Sequence, residues 1–379
     1  MIAAETQPQS TNPNRPVVVV TGASAGVGRA TARAFAERGF DVALLARGAD
    51  GLARAADEVQ ELGVRALPIS VDMAVYEEVD AAASRVEREL GPIDVWVNDA
   101  MTTVFAPATE IEPADFRRAV EVTFLGQVWG TKAALSRMKP RARGSVVNVG
   151  SALAFIGIPL QSAYCASKFA CRGFFEATRA ELIHEKSRVT MSMVHLPAVN
   201  TPQFEWCKTV FSRHPQPVAP IYQPEQCAKA IVEAALSGRR EKVLGSWNKI
   251  LVWASRATPG LGNQFAARGA WEEQLSDRPN QPGRPVNLYK PADVDKDYGA
   301  HGTFDDRANG FFSPSFLVTL PKALKNFALS FVAAWSDRLA TTHLATRKKW
   351  SVGQGSQLEE YSHAGGSAGP SEANSNGAT

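Results

Sequence analysis

The chain has 379 residues, of which 45% are hydrophobic and 21% charged, enough to bury one large core and to carry an appendage. The near balance of 41 basic and 38 acidic residues argues against a nucleic-acid-binding protein. The sequence has neither an HExxH cluster, nor a CxxC pair, nor a run of eighteen apolar residues. We therefore expect no metal site, reduced thiols in the cytoplasm and no membrane-spanning helix.

Short apolar runs alternate with helical patterns from residue 16 to residue 245. After a disordered N-terminus (1–15), strands are predicted at 17–22, 41–47, 66–72, 93–99, 145–150 and 189–196. Five helices are predicted between these strands. Three of them end near residues 39, 62 and 90, and the other two cover 114–138 and 163–185. Continuous apolar strands separated by helices are typical of a parallel sheet covered on both faces. The sequence predicts the doubly wound α/β class with a Rossmann-like sheet.

The alternation of buried strands and helices stops after residue 245. Residues 246–350 are predicted to form a helical and irregular C-terminal extension, and the Gly/Ser/Asn-rich tail 351–379 to be disordered. Amphipathic helices are predicted at 246–257 and 320–340. The basic residues around the second helix allow two interpretations, packing on the domain or a partner subunit, and peripheral contact with a membrane surface. The segment 297–308, DYGAHGTFDDRA, has motif-like density without an evident mechanism.

A glycine-rich turn joins the first predicted strand to the first helix. The turn reads TGASAGVG and contains Gly22, Gly26, Val27 and Gly28. Glycines here permit a tight turn and let the backbone approach a pyrophosphate at the helix N-terminus, where N–H groups and the helix dipole attract anions. The strand before the turn and the helix after it support a dinucleotide site over an ordinary turn.

The end of the second strand indicates which dinucleotide binds. An NAD-binding protein usually has an acidic residue there, whereas this strand ends at Arg47. A guanidinium suits a 2′-phosphate, so NADP(H) is predicted, with Arg47 as its clamp and Ser24 as a second donor. The alternative is that Arg47 is only a solvated charge. Asp72 is placed to accept from an adenine amino group, and Asn98 to fix the backbone of the pocket.

A serine, a tyrosine and a lysine form the predicted catalytic centre. Tyr164 and Lys168 are four residues apart and share one face of a helix. An ammonium group near a phenol favours the phenolate, which tunes the phenol for proton transfer. Ser151, just after an apolar strand, could hold a carbonyl oxygen beside that phenol.

Together the TGxxxGxG turn, the Asn98 segment, Ser151, the YxxxK pair and the element 197–201 resemble the classical short-chain dehydrogenase/reductase family over residues 15–245. The resemblance implies that Tyr164 is the catalytic acid/base, that Lys168 binds the nicotinamide ribose and that Ser151 orients the substrate oxygen. It also implies a homodimer or homotetramer built on long helices. The same resemblance gives the cofactor contacts of the later element, which are Pro197, Val199 and Thr201.

Three positions depart from the family pattern. The usual NNAG reads Asn98-Asp99-Ala100-Met101, and the glycine after Pro197 is Ala198. The asparagine that normally completes the catalytic tetrad is Thr123. Its hydroxyl has a shorter reach and no amide, so we expect an altered proton relay.

The expected activity is hydride transfer between NADP(H) and a hydrophobic carbonyl or secondary alcohol. An apolar substrate pocket is predicted from side chains that flank the catalytic segments, namely Phe155, Ile158, Gln161, Phe204 and Trp206, with core packing as the alternative. The competing function is an NADP-binding sensor or scaffold without catalysis. An epimerase or dehydratase on the same scaffold is a third interpretation.

Overall fold

The computed structural model describes residues 15–257 and 266–308, all of which belong to one compact unit spanning residues 1–331. Residues 1–14, the predicted helix at 320–340 and the tail 351–379 lie outside the described residues. In the described part, the helices are all too short or too polar to cross a bilayer.

Seven parallel strands form the central sheet. In chain order they are β1 (Val17–Thr21), β2 (Asp41–Ala46), β3 (Ala66–Ser70), β4 (Ile93–Asn98), β6 (Ser145–Ser151), β7 (Thr190–Leu196) and β12 (Glu241–Val243). Their order across the sheet is β12-β7-β6-β4-β1-β2-β3. The order reverses beside β1, which pairs with β2 on one side and with β4 on the other. In such sheets the ligand crevice lies at the carboxyl ends of the strands near this reversal.

Helices cover both faces of the sheet. They are α1 (Gly26–Ala36), α2 (Ala49–Glu61), α3 (Tyr76–Glu89), α4 (Pro113–Val120), α5 (Gly126–Met138), α6 (Ser162–His184), α7 (Gln203–Trp206), α8 (Pro224–Ser237), α9 (Ser246–Ala257) and α10 (Trp271–Glu273). Short strands lie outside the main sheet, namely β5 (Val104–Phe105), β8 (Ala198–Val199), β9 (Lys208–Thr209), β10 (Arg213–Pro215), β11 (Ile221–Tyr222) and β13 (Leu275–Pro279). Single turns of 3₁₀- or π-helix occur at Ala108–Glu110, Glu121–Leu125, Ala152–Ala154, Ala266–Ala270 and Asp305–Arg307.

The alternation of side chains along β1 builds one hydrophobic core on each face. Val18 and Val20 pack with apolar residues of α1, α2 and α8. Val17 and Val19 point to the other face and pack with residues of α3, α5 and α6. Because a strand with two buried faces has no polar face, its sequence is a continuous apolar run rather than an alternating one.

The structure confirms the six predicted strands within two residues at each end. It adds β12, which the sequence did not predict because Glu241-Lys242-Val243 is a short, partly exposed, polar edge strand. It also adds α8, between β11 and β12. The helix predicted at 114–138 is present but contains a π-helical turn at Glu121–Leu125.

The described part of the C-terminal extension folds back onto the sheet domain. The helix predicted at 246–257 is present as α9. Further on, β13 pairs antiparallel with β10. Residues 280–304 contain no regular helix or strand, yet they run past the carboxyl ends of β1 and β2, where Gly299 accepts from Gly26 N and Tyr289 from Arg47.

Candidate active site

A cavity of about 370 Å³ lies at the carboxyl ends of the parallel strands. Its wall brings together most of the predicted site residues, namely Gly22, Ser24, Gly26, Val27, Arg47, Asp72, Ser151, Tyr164, Lys168, Pro197, Val199 and Thr201. Gly28, Asn98 and Thr123 do not line it. Residues that are up to 179 positions apart in sequence thus face one space, because successive parallel strands end on the same side of the sheet.

The catalytic trio is positioned by the end of β6 and the first two turns of α6. The Lys168 Nζ lies 5.6 Å from the centroid of the Tyr164 ring, as the i, i+4 spacing predicts. Lys168 is 3% exposed, and its ammonium group donates to the Val149 carbonyl oxygen at 2.8 Å. Ser151 hydrogen-bonds the Tyr164 hydroxyl and also accepts from Leu153 N at 3.1 Å. The Tyr164 hydroxyl is therefore hydrogen-bonded to Ser151 and lies within the electrostatic influence of Lys168.

Two opposing effects set the acidity of the Tyr164 hydroxyl. Burial raises the pKa of Tyr164, while the Lys168 charge and the Ser151 hydrogen bond lower it. The burial effect is larger, so the net pKa lies above its ordinary value. The predicted influence of the lysine is present, but it moderates an upward shift instead of producing a downward one.

Asp99 is a second titratable group beside Lys168, at the position where the family pattern has asparagine. Burial raises the pKa of Asp99 to about 7, although Lys168 and the Gly28 backbone N–H stabilise its charged form. The carboxylate lines the cavity next to the glycine turn. Near neutral pH, Asp99 therefore exchanges between a neutral and a negatively charged form.

Thr123 lies in the π-helical turn and is 1% exposed. Its hydroxyl donates to Thr102 O at 2.8 Å and accepts from Thr102 N at 3.0 Å. Its own carbonyl oxygen accepts from the Cys171 Sγ at 3.4 Å. The hydroxyl donor is thus used within the protein, and a role of Thr123 in a proton relay stays a prediction.

A buried histidine, His195, contacts the backbone of Ser151. The His195 ring is 0% exposed, with Nδ1 3.2 Å from Ser151 O and Nε2 2.8 Å from Glu241 Oε1. Glu241 belongs to strand β12, which was not predicted, so this contact could not be predicted from the sequence either. Phe155, predicted to line the substrate pocket, packs against the His195 ring instead, with centroids 4.6 Å apart.

The glycine turn has the compactness that the motif requires. A Cβ on Gly28 would overlap the Gly22 carbonyl oxygen, and one on Gly22 would lie 2.9 Å from Ala100 Cα. Gly22 and Gly26 also have positive φ angles of 71° and 59°. At Gly26 an added Cβ would lie 3.3 Å from Thr201 Cγ2, so the turn directly faces the element 197–201.

The remaining predicted polar residues have protein partners. Asp72 pairs with Arg118 and accepts from Ala74 N at 3.0 Å. Asn98 accepts from Trp96 Nε1 and donates to Thr131 and Asn148, which ties β4 to α5 and β6. The contacts of Asn98 go to side chains, so its expected role in fixing the pocket backbone stays a prediction, as does adenine binding by Asp72.

Arg47 contacts a segment of the C-terminal extension that we call the strap, residues 287–305. Its guanidinium donates to Asn287 O and Oδ1, Leu288 O and Tyr289 O at 2.7–3.2 Å. Burial and the neighbouring charge of Arg118 lower the pKa of Arg47. Arg47 is therefore not the freely solvated charge of the alternative interpretation.

The strap continues along the glycine turn to the element 197–201. Asp297 pairs with the buried Arg29 of α1, and Gly299 O accepts from Gly26 N at 3.1 Å. Phe304 N then donates to Asn200 Oδ1 at 3.0 Å, and Asp305 accepts from the Asn200 amide at 2.9 Å. The motif-like segment 297–308 thus connects the two sides of the cavity.

Apolar side chains line the part of the cavity beyond Tyr164. Of the predicted pocket residues, Ile158, Gln161, Phe204 and Trp206 lie in this wall. The extension contributes Trp247, Leu251 and Gln274. Gln161 donates to Gln274 Oε1 at 2.6 Å, and Gln274 donates to Pro159 O at 3.0 Å. The extension therefore forms part of the same wall, which the sequence did not indicate.

Comparison with known proteins gives consistent results. Residues 16–208 match the family model described as short chain dehydrogenase. The chain is 33% identical to the uncharacterized oxidoreductase YxnA of Bacillus subtilis, over 72% of this chain and 77% of that protein. It is 32% identical to 3-dehydrosphinganine reductase of Danio rerio, over 63% and 74% of the respective chains. Among solved structures, an alcohol dehydrogenase of Thermococcus sibiricus complexed with 5-hydroxy-NADP superposes with a TM-score of 0.52 at 30% identity, covering 61% of this chain and 95% of that one.

Replacing Asp99 with asparagine should change how stability depends on pH. A carboxyl group whose folded pKa is about 7 binds its proton more tightly in the folded state, so its contribution is full below pH 4 and is lost as the pH rises through 7. Between pH 5.5 and 8 the free energy of unfolding of the wild type should fall by on the order of 2 kcal/mol relative to that of Asp99→Asn. Thermal unfolding of both proteins at the two pH values measures this difference.

The matched control is Asp57→Asn, which makes the same change on an exposed side chain of α2. It should leave the pH dependence of the wild type unaltered. Equal thermal midpoints of wild type and Asp99→Asn at both pH values would show that the Asp99 carboxyl does not titrate in this range.

Proposed function

The chain belongs to the short-chain dehydrogenase family, and from this premise we propose that it transfers a hydride between NADP(H) and a hydrophobic carbonyl compound or secondary alcohol. The observation that carries the proposal is the convergence of Ser151, Tyr164 and the buried Lys168 ammonium on one wall of the cavity that begins at the glycine turn. A sensor or scaffold would have no use for such a group of residues.

The residues of the cavity fit a nicotinamide dinucleotide. Three glycines leave the space beside the N-terminus of α1 free of side chains, and the cavity continues from there to Tyr164 and Thr201. Gly26 and Val27 would hold the pyrophosphate, Arg47 and Ser24 a 2′-phosphate, and Lys168 the nicotinamide ribose. The bound dinucleotide supplies or accepts the hydride.

The side chains of the chain carry out the proton transfer. The hydroxyl of an ordinary tyrosine is protonated at neutral pH, and the raised pKa of Tyr164 keeps it so, which lets it donate to the oxygen of a carbonyl substrate. Ser151 adds a hydrogen bond to the same oxygen as negative charge develops. Lys168 stabilises the phenolate that remains, and its own position is fixed by Val149 O.

The substrate class is inferred from the wall beyond Tyr164. Ile158, Phe204, Trp206, Trp247 and Leu251 make this wall largely apolar. The chain is also similar to a protein of Danio rerio that is named 3-dehydrosphinganine reductase. We therefore propose a hydrophobic ketone or the corresponding alcohol as the substrate.

The assembly and the location of the protein are part of the same proposal. A homodimer or homotetramer would form through the long helices α5 and α6, as the family resemblance implies. The four cysteines are buried and free of disulfide bonds, which favours the reducing environment of the cytoplasm. The helix for which membrane contact was predicted lies outside the described residues.

Tyr164→Phe should lower turnover by at least ~10²-fold, because phenylalanine keeps the ring and removes the proton donor. Consumption of NADPH over a panel of hydrophobic ketones measures turnover, and nicotinamide fluorescence measures cofactor binding, which should be retained. Tyr76→Phe is the control, since it removes a hydroxyl from α3, away from the cavity. Near-normal turnover in the Tyr164 variant would rule out the assigned role. NADPH binding without turnover in the wild type would instead favour a sensor.

Thr123 is proposed to support the proton relay in place of the usual asparagine. Thr123→Val keeps the shape of the side chain but removes both hydrogen bonds to Thr102, so activity should be lost. Thr123→Asn should keep activity because its amide can both donate and accept. Turnover as a function of pH, measured well below the thermal midpoint of each variant, separates a relay defect from instability. A valine variant with wild-type rates and pH profile would refute the role.

A further inference from the structure

The strap places one acidic side chain inside the nucleotide end of the cavity. Asp293 is 5% exposed and lines the cavity beside Gly48 and Gly51. A Cβ on Gly48 would overlap Asp293 Oδ1, and one on Gly51 would lie 2.5 Å from Oδ2. The backbone also fixes this position, because Gly51 N donates to Asp293 O at 3.3 Å. Two glycines thus make room for a carboxylate that lies 245 and 242 residues later in the chain, respectively.

One oxygen of this carboxylate lacks a donor. Within residues 15–257 and 266–308, Asp293 Oδ2 is buried without a hydrogen-bond partner. An ionised carboxylate can only accept hydrogen bonds, and a buried acceptor without a donor is unfavourable. A hydrogen-bond donor on a bound ligand would satisfy this oxygen.

The position of Asp293 indicates which donor. Gly48 follows Arg47 at the tip of β2, the place where dinucleotide-binding domains hold the adenosine ribose. A ribose hydroxyl is a donor and would satisfy Oδ2. A 2′-phosphate is an anion that can only accept at neutral pH, and the carboxylate would repel it. In addition, four hydrogen bonds of the Arg47 guanidinium already go to the strap.

We propose that Asp293 accepts a hydrogen bond from the free 2′-hydroxyl of an unphosphorylated adenosine ribose, so that the site binds NAD(H) as well as NADP(H). The strap thereby supplies the acidic residue that the end of β2 lacks. Arg47 attracts a 2′-phosphate and Asp293 opposes it, so the balance of the two charges sets the cofactor preference. This inference rests on the proposed function only in requiring that a nicotinamide dinucleotide binds in the cavity.

The test is a fluorescence titration of NADH and NADPH against the full chain and two variants. Asp293→Asn removes the charge and keeps an acceptor, so NADPH should bind about tenfold more tightly while NADH changes less. Asp293→Ala removes both the charge and the acceptor, so NADH should bind about tenfold more weakly and NADPH more tightly. The matched control is Asp295→Asn, on an exposed residue of the same strap, which should leave both dissociation constants unchanged.

Each outcome of the titration decides a different question. A ratio of the NADH and NADPH dissociation constants that is equal in wild type and in both Asp293 variants would overturn the inference. NADPH binding to a wild type that does not bind NADH would also overturn it, while leaving the proposed function intact. A wild type that binds neither dinucleotide would contradict the proposed function itself.

Discussion

The arrangement of the site depends on a positive charge that is buried inside the domain. Removing an ammonium group from water costs several kcal/mol, so a buried lysine needs partners that replace its hydration. Lys168 donates to the Val149 carbonyl near the end of β6, and its charge also interacts with the Asp99 carboxyl after β4 and with the Tyr164 hydroxyl one turn away. These groups meet only because parallel strands end on one side of the sheet. The electrostatics of the catalytic group are therefore a direct consequence of the sheet topology.

The need of buried charges for partners also explains why the C-terminal extension is more than an appendage. Its strap provides hydrogen-bond partners for two guanidinium groups of the sheet domain, Arg47 after β2 and Arg29 in α1. It then reaches Asn200, beside the residue that faces the glycine turn. Through these contacts the strap joins the nucleotide end of the cavity to the element 197–201.

The parts of the molecule that could be predicted from the sequence are those with local signals. Apolar runs identified six strands, and the spacing of Tyr164 and Lys168 identified one helix face. In contrast, β12 is short and polar, and the contacts of Arg47 with Asn287 join residues 240 positions apart without any periodic pattern. The direction of the Tyr164 pKa shift was equally inaccessible, because burial depends on every element that surrounds the hydroxyl. The sequence could not relate Arg47, the proposed ligand of the 2′-phosphate, to the carboxylate of Asp293, because only the structure places both residues beside Gly48.

The coupling between Lys168 and Tyr164 is the central claim, and it can be measured directly by ultraviolet titration of the tyrosinate. The ionisation of Tyr164 is obtained by subtracting the titration of Tyr164→Phe from that of the wild type, and the same subtraction is made in a Lys168→Met background. Methionine keeps the length of the lysine side chain without its charge, so Tyr164 should ionise at a higher pH in that background. Ionisation at the same pH in both backgrounds would show that the ammonium group does not act on the phenol.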